Sequence, residues 1–124
     1  MEKIVQTAGR NALGEFAPEF VHFNDDVLFG ENWNNQDIDH KTRCIITAVA
    51  LMSSGITDSS LKYHLSNAKT AGVTQKEIAA VITHCAFYVG WPKGAVYCFC
   101  VYEINSLTAI EVRFLSFRAI PSVR

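Results

Sequence analysis

The sequence predicts an all-α fold, a compact bundle of about six helices assembled into an oligomer. Three observations lead there. Apolar residues recur at helical spacing along most of the chain, capping residues and glycines punctuate them at helix-length intervals, and two segments are apolar on nearly every side. A chain of 124 residues suits one hydrophobic core, which serves roughly 100 to 200 residues. We read residues 1–106 as one helical domain and residues 107–124 as a C-terminal extension of unassigned structure.

A weak helix is expected near Ile4 to Leu13. Phe16, Phe20, Phe23 and Val27 then repeat at helical spacing, with Pro18 suited to a first turn and Gly30 to a C-terminal stop, which gives a second helix. After a polar loop carrying Trp33, Asp39 is placed to cap a third helix running through Arg43 to Ser54, with Gly55 ending it. The middle of that helix is apolar on nearly every side, so it is either central to the core or covered by another subunit. Thr57 or Asp58 opens a fourth helix with Leu61, Leu65 and Ala68 on one stripe, His64 at its edge, and Gly72 as the stop. Thr74 and Glu77 form a capping box for a fifth helix, whose stripe is Ile78, Val81, Ile82, Cys85 and Val89 and whose flank carries His84 and Tyr88 one turn apart. Pro92 starts a sixth helix, apolar almost throughout from Ala95 to Tyr102. The segment Val112 to Phe117 fits either a helical extension or a short strand. Short joining loops favour antiparallel neighbours.

Composition narrows the function. With 49% hydrophobic residues and only 3 prolines the chain has enough apolar material to fold. A net charge of -1 and a pI near 6.4 give no basic footprint for nucleic acid. The longest apolar run, Cys44 to Met52, is far below the roughly 20 residues that span a bilayer, which argues against a membrane protein. The N-terminus carries no export pattern, and Cys44, Cys85, Cys98 and Cys100 include no C-x-x-C pair, so reduced thiols in a cytoplasmic protein are expected.

Phe29-Gly30-Glu31-Asn32-Trp33, the run from Asp39 to Thr47, Leu61-Lys62-Tyr63-His64, Gly72-Val73-Thr74 with Glu77-Ile78, and the run from His84 to Pro92 occur in one order and spacing. In these pieces the chain resembles the carboxymuconolactone decarboxylase family, over the second to sixth helices. The resemblance implies an alkylhydroperoxidase-like all-helical fold, a trimer or hexamer, pockets close to subunit contacts, and a lyase of aromatic-compound catabolism that needs no metal or organic cofactor. The wider superfamily includes alkylhydroperoxidase-like proteins with a C-x-x-C-x-x-x-H motif. Here the matching positions are Thr57, Ser60 and His64, and hydroxyls cannot form the disulfide of that cycle.

Decarboxylating a carboxylated lactone needs a place for the anion, a poorly hydrated surround and a proton donor. By the resemblance, Arg43 holds a substrate carboxylate, although Asp39 one turn earlier is an obvious structural partner for it. His64 or His84 handles the proton, since an imidazole titrates near neutrality, and either is otherwise a polar residue of the core or an interface. Tyr88 fixes the tautomer of His84 or contacts the substrate. Glu31 stands where the family pattern places a carboxylate, and Trp33 walls the pocket or anchors its loop. His22 and His40 lie outside the histidines that the family pattern retains, and solvent-exposed or capping roles are expected for both. His64, His84 and Glu31 offer no ligand pair at tight spacing on one helix, which argues against a catalytic metal. The expected partners are a small anionic organic substrate and copies of the same chain. The rival readings are a thiol-dependent antioxidant protein and a non-catalytic oligomeric module.

Overall fold

The computed structural model describes residues 3–106, in which α-helices dominate and no strand occurs. The segment Val112 to Phe117, and the extension that contains it, lie outside the described residues. The described residues group into two units, 3–40 and 41–106.

The first unit holds α1 (Ala8–Leu13), α2 (Pro18–Val21), a π-helix (His22–Phe29) and one 3-10 turn (Asn32–Asn34). The sequence predicts one α-helix through Phe16, Phe20, Phe23 and Val27, whereas the α-helical turn ends at Val21 and the chain continues with the wider i→i+5 pattern. That change of pitch breaks the expected stripe: Phe16, Phe20 and Phe23 are exposed, and Val21 and Asp25 turn inward. Gly30 follows the π-helix in a right-handed conformation, so it does not end the helix as a left-handed stop.

Asp25 ties this unit together. Its carboxylate accepts hydrogen bonds from the backbone N–H groups of Gly9 (3.2 Å) and Arg10 (2.8 Å) and from the Asn24 amide (2.8 Å). Thr7, at the N-cap of α1, makes no side-chain cap, so a carboxylate distant in sequence satisfies the free donors of the first turn. Arg10 reaches Asp26 at 3.0 Å, and His22 Nδ1 lies 2.9 Å from the same carboxylate. The hydrogen bonds from His22 and then Arg10 hold the Asp26 carboxyl below the ordinary carboxylate range.

The second unit contains α3 (His40–Ser53) from Lys41 onward, α4 (Ser59–Thr70), α5 (Gln75–Val89) and α6 (Trp91–Ser106). The expected punctuation is present. After α3 and α4 the chain reverses through Gly55 (φ +71°) and Gly72 (φ +93°). Each closes a paired hydrogen-bond motif: Ile56 N–H to Leu51 O (3.0 Å) with Gly55 N–H to Met52 O (3.0 Å), and Val73 N–H to Ala68 O (3.0 Å) with Gly72 N–H to Lys69 O (3.1 Å). The Asp58 side chain accepts from Ser60 N–H at the start of α4, which resolves the alternative of Thr57 or Asp58. The capping box at α5 is complete, with Glu77 N–H donating to Thr74 Oγ1 (3.1 Å) and Thr74 N–H to Glu77 Oε2 (2.8 Å).

The core of this unit is built on Met52, Leu61, Ile82, Tyr97 and Val101. On α5 the inward residues are Ile78, Ile82 and Ala86, while Val81, Cys85 and Val89 from the predicted stripe are half-buried. Gly94 lets α5 and α6 approach closely, since a Cβ there would stand 2.5 Å from Ala86 Cβ. The buried Tyr97 hydroxyl donates to the Leu51 carbonyl at 2.7 Å and also meets the Ile56 carbonyl, pinning the turn after α3 to α6. Burial pushes the Tyr97 phenol above its ordinary range and keeps it a donor. Lys93 Nζ adds a hydrogen bond to the Ser53 carbonyl at 3.1 Å.

Candidate functional site

The six residues expected to carry chemistry fall in both units and are described unit by unit. In the first, Trp33 is 6% exposed. Its indole stacks on Phe29 with centroids 6.1 Å apart and meets the His40 imidazole edge-on at 5.9 Å. Asn34 fixes the turn beside it by accepting from Ile4 N–H (2.6 Å) and donating to the carbonyls of Ile4 (2.8 Å), Phe29 (3.1 Å) and Gly30 (2.9 Å). Glu31 sits exposed at the head of that turn, where its carbonyl receives Asn34 N–H at 3.2 Å. Trp33 therefore anchors its loop, and Glu31 is a solvated carboxylate. Sequence reading missed Asn34 and assigned His40 a solvent-exposed or capping role, whereas its ring is half-buried against Trp33.

In the second unit Arg43 is only 9% exposed, on the inward face of α3 next to Cys44. A guanidinium does not shed its charge, so at this depth it demands carboxylate or carbonyl partners. His64 is half-buried on α4, and burial depresses its basicity, so the neutral imidazole is favoured. The Tyr63 ring meets it with centroids 5.0 Å apart at 75°.

His84 and Tyr88 lie together on α5, as the one-turn spacing predicts, with ring centroids 5.3 Å apart. Both are exposed, Tyr88 to 80%. Beside them Phe87 and Trp91 form a second exposed aromatic pair at 5.5 Å. The structure thus brings His84 to Tyr88 and Trp33 to His40, and sets Arg43 and His64 at greater depth in the second unit.

Two small cavities in the second unit belong to packing. One of about 20 Å³ lies among Leu65, Val73, Ile78, Val101 and Ile104, and one of about 10 Å³ among Ala48, Met52, Leu65, Ile82 and Tyr97. Each takes one water at most, and neither is lined by Arg43, His64, His84 or Tyr88.

Two of the four thiols, Cys44 and Cys100, are poorly suited to nucleophilic attack. Cys44 is buried, Cys85 and Cys100 are half-buried and Cys98 is exposed, all without disulfides. Burial pushes the Cys44 and Cys100 thiols up, so the thiolate that attacks peroxide or disulfide is disfavoured there. Among the described residues no group of three or more His, Cys, Asp or Glu side chains gathers to hold a metal ion. No helix there is long and apolar enough to cross a membrane.

A small all-helical chain with a buried arginine, a half-buried histidine that favours the neutral form and an exposed His–Tyr pair offers side chains suited to anion binding and proton transfer. Comparison with known proteins narrows this reading. The sequence profile of the carboxymuconolactone decarboxylase family matches residues 18–98, a stretch that includes all six candidate residues. The chain is 33% identical over 93 residues to 4-carboxymuconolactone decarboxylase of Acinetobacter baylyi, covering 75% of this chain and 68% of that protein. It is also 29% identical over 93 residues to an uncharacterized 15.0 kDa protein in the nqo9-nqo10 intergenic region of Paracoccus denitrificans, covering 74% of this chain and 60% of that one. The protein belongs to the carboxymuconolactone decarboxylase family.

Proposed function

We propose that this protein is a cofactor-free decarboxylase acting on a small anionic lactone or related cyclic acid, with 4-carboxymuconolactone the first substrate to try. The observation that carries the reading is the depth of Arg43 and His64 in a chain whose family match runs across both. The reaction converts a carboxylate and one proton into CO2 and a new C–H bond. As the C–C bond breaks, its electron pair stays on the carbon and a proton must be delivered there. Arg43 pairs with a substrate carboxylate in a poorly hydrated surround, where a planar, permanently charged fork is most effective. His64 carries the proton. Its depressed basicity makes the imidazolium rarer at neutral pH but a stronger acid when it forms, and transfer to carbon profits from that.

His84 and Tyr88, exposed on one chain, contribute where another copy covers them. In the first unit Trp33 contributes an apolar ring and Glu31 a solvated carboxylate. The whole of residues 1–106 acts as one helical domain, assembled as a trimer or hexamer in the cytoplasm and serving aromatic-compound catabolism.

The test is CO2 release from 4-carboxymuconolactone and related lactone acids by the purified chain, with thermal stabilisation by each acid measured alongside. Saturable release is expected, falling about a hundredfold to ten-thousandfold in His64→Ala and unchanged in Lys76→Ala. Neither turnover nor stabilisation by any of these acids would refute the lyase reading, because a real site stabilises the native state by mass action.

A further inference from the structure

Tyr63 and His64 are sequence neighbours on α4, and side chains at adjacent helix positions do not ordinarily face each other. Yet their rings meet at 5.0 Å between centroids and 75° between planes, and both side chains are half-buried. Edge-to-face geometry is the arrangement that aromatic quadrupoles favour. The contact matters for the imidazole because the second torsion of histidine has broad wells, so its ring plane is set by what it packs against. A proton carrier must present its nitrogen within a narrow cone, and a misplacement of about 1 Å costs on the order of a hundredfold in rate.

We propose that Tyr63 is a positioning residue for His64, its ring fixing the plane of the imidazole and thereby the direction in which the proton is delivered. The inference rests on His64 being the proton carrier, and it places Tyr63 behind the imidazole rather than on the substrate. The part that acts is the aromatic face, not the hydroxyl. Tyr63 also takes water away from the ring it touches, in keeping with the burial that favours the neutral imidazole.

Three variants test it: Tyr63→Leu removes the ring, Tyr63→Phe keeps the ring without the hydroxyl, and Tyr63→Met stands in should the leucine variant fail to fold. Two readouts are taken on each folded protein, the NMR signals and titration of the His64 imidazole, and the steady-state kinetics with 4-carboxymuconolactone. Loss of the ring is expected to shift the imidazole signals, raise the pH at which they titrate, and lower kcat roughly tenfold with KM within about twofold. Tyr63→Phe is expected to match the parent in both. Imidazole signals and titration unchanged in the ringless variants overturn the positioning role whatever the kinetics do. So does a phenylalanine variant that fails like the leucine one, since that outcome assigns the effect to the hydroxyl. Full turnover in His64→Ala would instead refute the proton-carrier reading, while the NMR result on the ring contact stands by itself.

Discussion

A half-buried histidine that prefers to be neutral makes stability depend on pH in a definite direction. The folded state holds the His64 proton more weakly than the unfolded chain, where an imidazole titrates near pH 6.5. Its contribution to stability is therefore complete above about pH 6.5 and declines as pH falls from there through the lower folded value. The melting temperature of the parent is expected to drop between pH 7.5 and 5.5 by more than that of His64→Gln, as differential scanning calorimetry at both pH values will show. Equal drops would mean that the imidazole is not desolvated. The thiols give a second expectation. Replacing Cys85 and Cys98 with alanine should leave turnover of the lactone acid within about twofold, since the proposed decarboxylation uses no thiolate. Dithiol-dependent peroxide reduction that disappears with these cysteines would overturn it. The candidate residues could be named from sequence because the motif carries their types and spacing, but their environments could not. The burial of Arg43, the exposure of Tyr88 and the stack of Trp33 between Phe29 and His40 all depend on how helices pack, which no local pattern encodes.

Along the helices, local chemistry was a good guide where a terminus depends on adjacent residues. Thr74 and Glu77 announce a capping box, and Gly55 and Gly72 announce left-handed reversals, because each needs only a few neighbouring residues to be recognised. Glu77 also pairs with Lys41 at 2.9 Å, with both side chains partly exposed. Thr74→Ala should destabilise the protein by about 1 kcal/mol in chemical denaturation, the usual size of a lost N-cap. The π-helix after Val21 escaped sequence reading for the opposite reason. Its cause is tertiary, the inward turn of Asp25 to reach Gly9 and Arg10, and the aromatic periodicity around it mimics an ordinary helix. Gly94 is likewise silent in sequence, a small residue in a good helical run that turns out to face Ala86. Gly94→Ala gains about 0.5 to 1 kcal/mol in helix propensity but overpacks the α5–α6 contact, at a cost of about 1 to 3 kcal/mol. The net expectation is a lower denaturation midpoint, and a higher one would show that the two helices part easily.

At the level of the molecule, the exposed aromatic residues ask for a partner surface. Phe87, Trp91, Phe99 and Tyr102 on α5 and α6 stand open to solvent in a single chain, Phe99 to 72%. Apolar patches of this kind usually mark interfaces, and closed symmetry is the common way to satisfy them. Light scattering during size-exclusion chromatography is expected to report a trimer or hexamer. Phe99→Asp should reduce it to smaller species with unchanged circular dichroism, because that side chain supports no core of its own subunit. A parent that elutes as a stable monomer at micromolar concentration would remove the assembly.

The Asp25 carboxylate has a bearing on how the chain resists digestion. Arg10 lies within α1, with its amide held by Asp25 and its guanidinium by Asp26. A protease must draw several residues around its target bond into an extended strand, so cleavage after Arg10 waits for α1 to open locally. Asp25→Ala leaves the first-turn amides without their acceptor and makes that opening far more frequent. Brief exposure to trypsin should then clip the variant after Arg10 while the parent is not cut at that bond, and a fragment lacking the first ten residues would give the rate at which α1 detaches from the carboxylate that caps it.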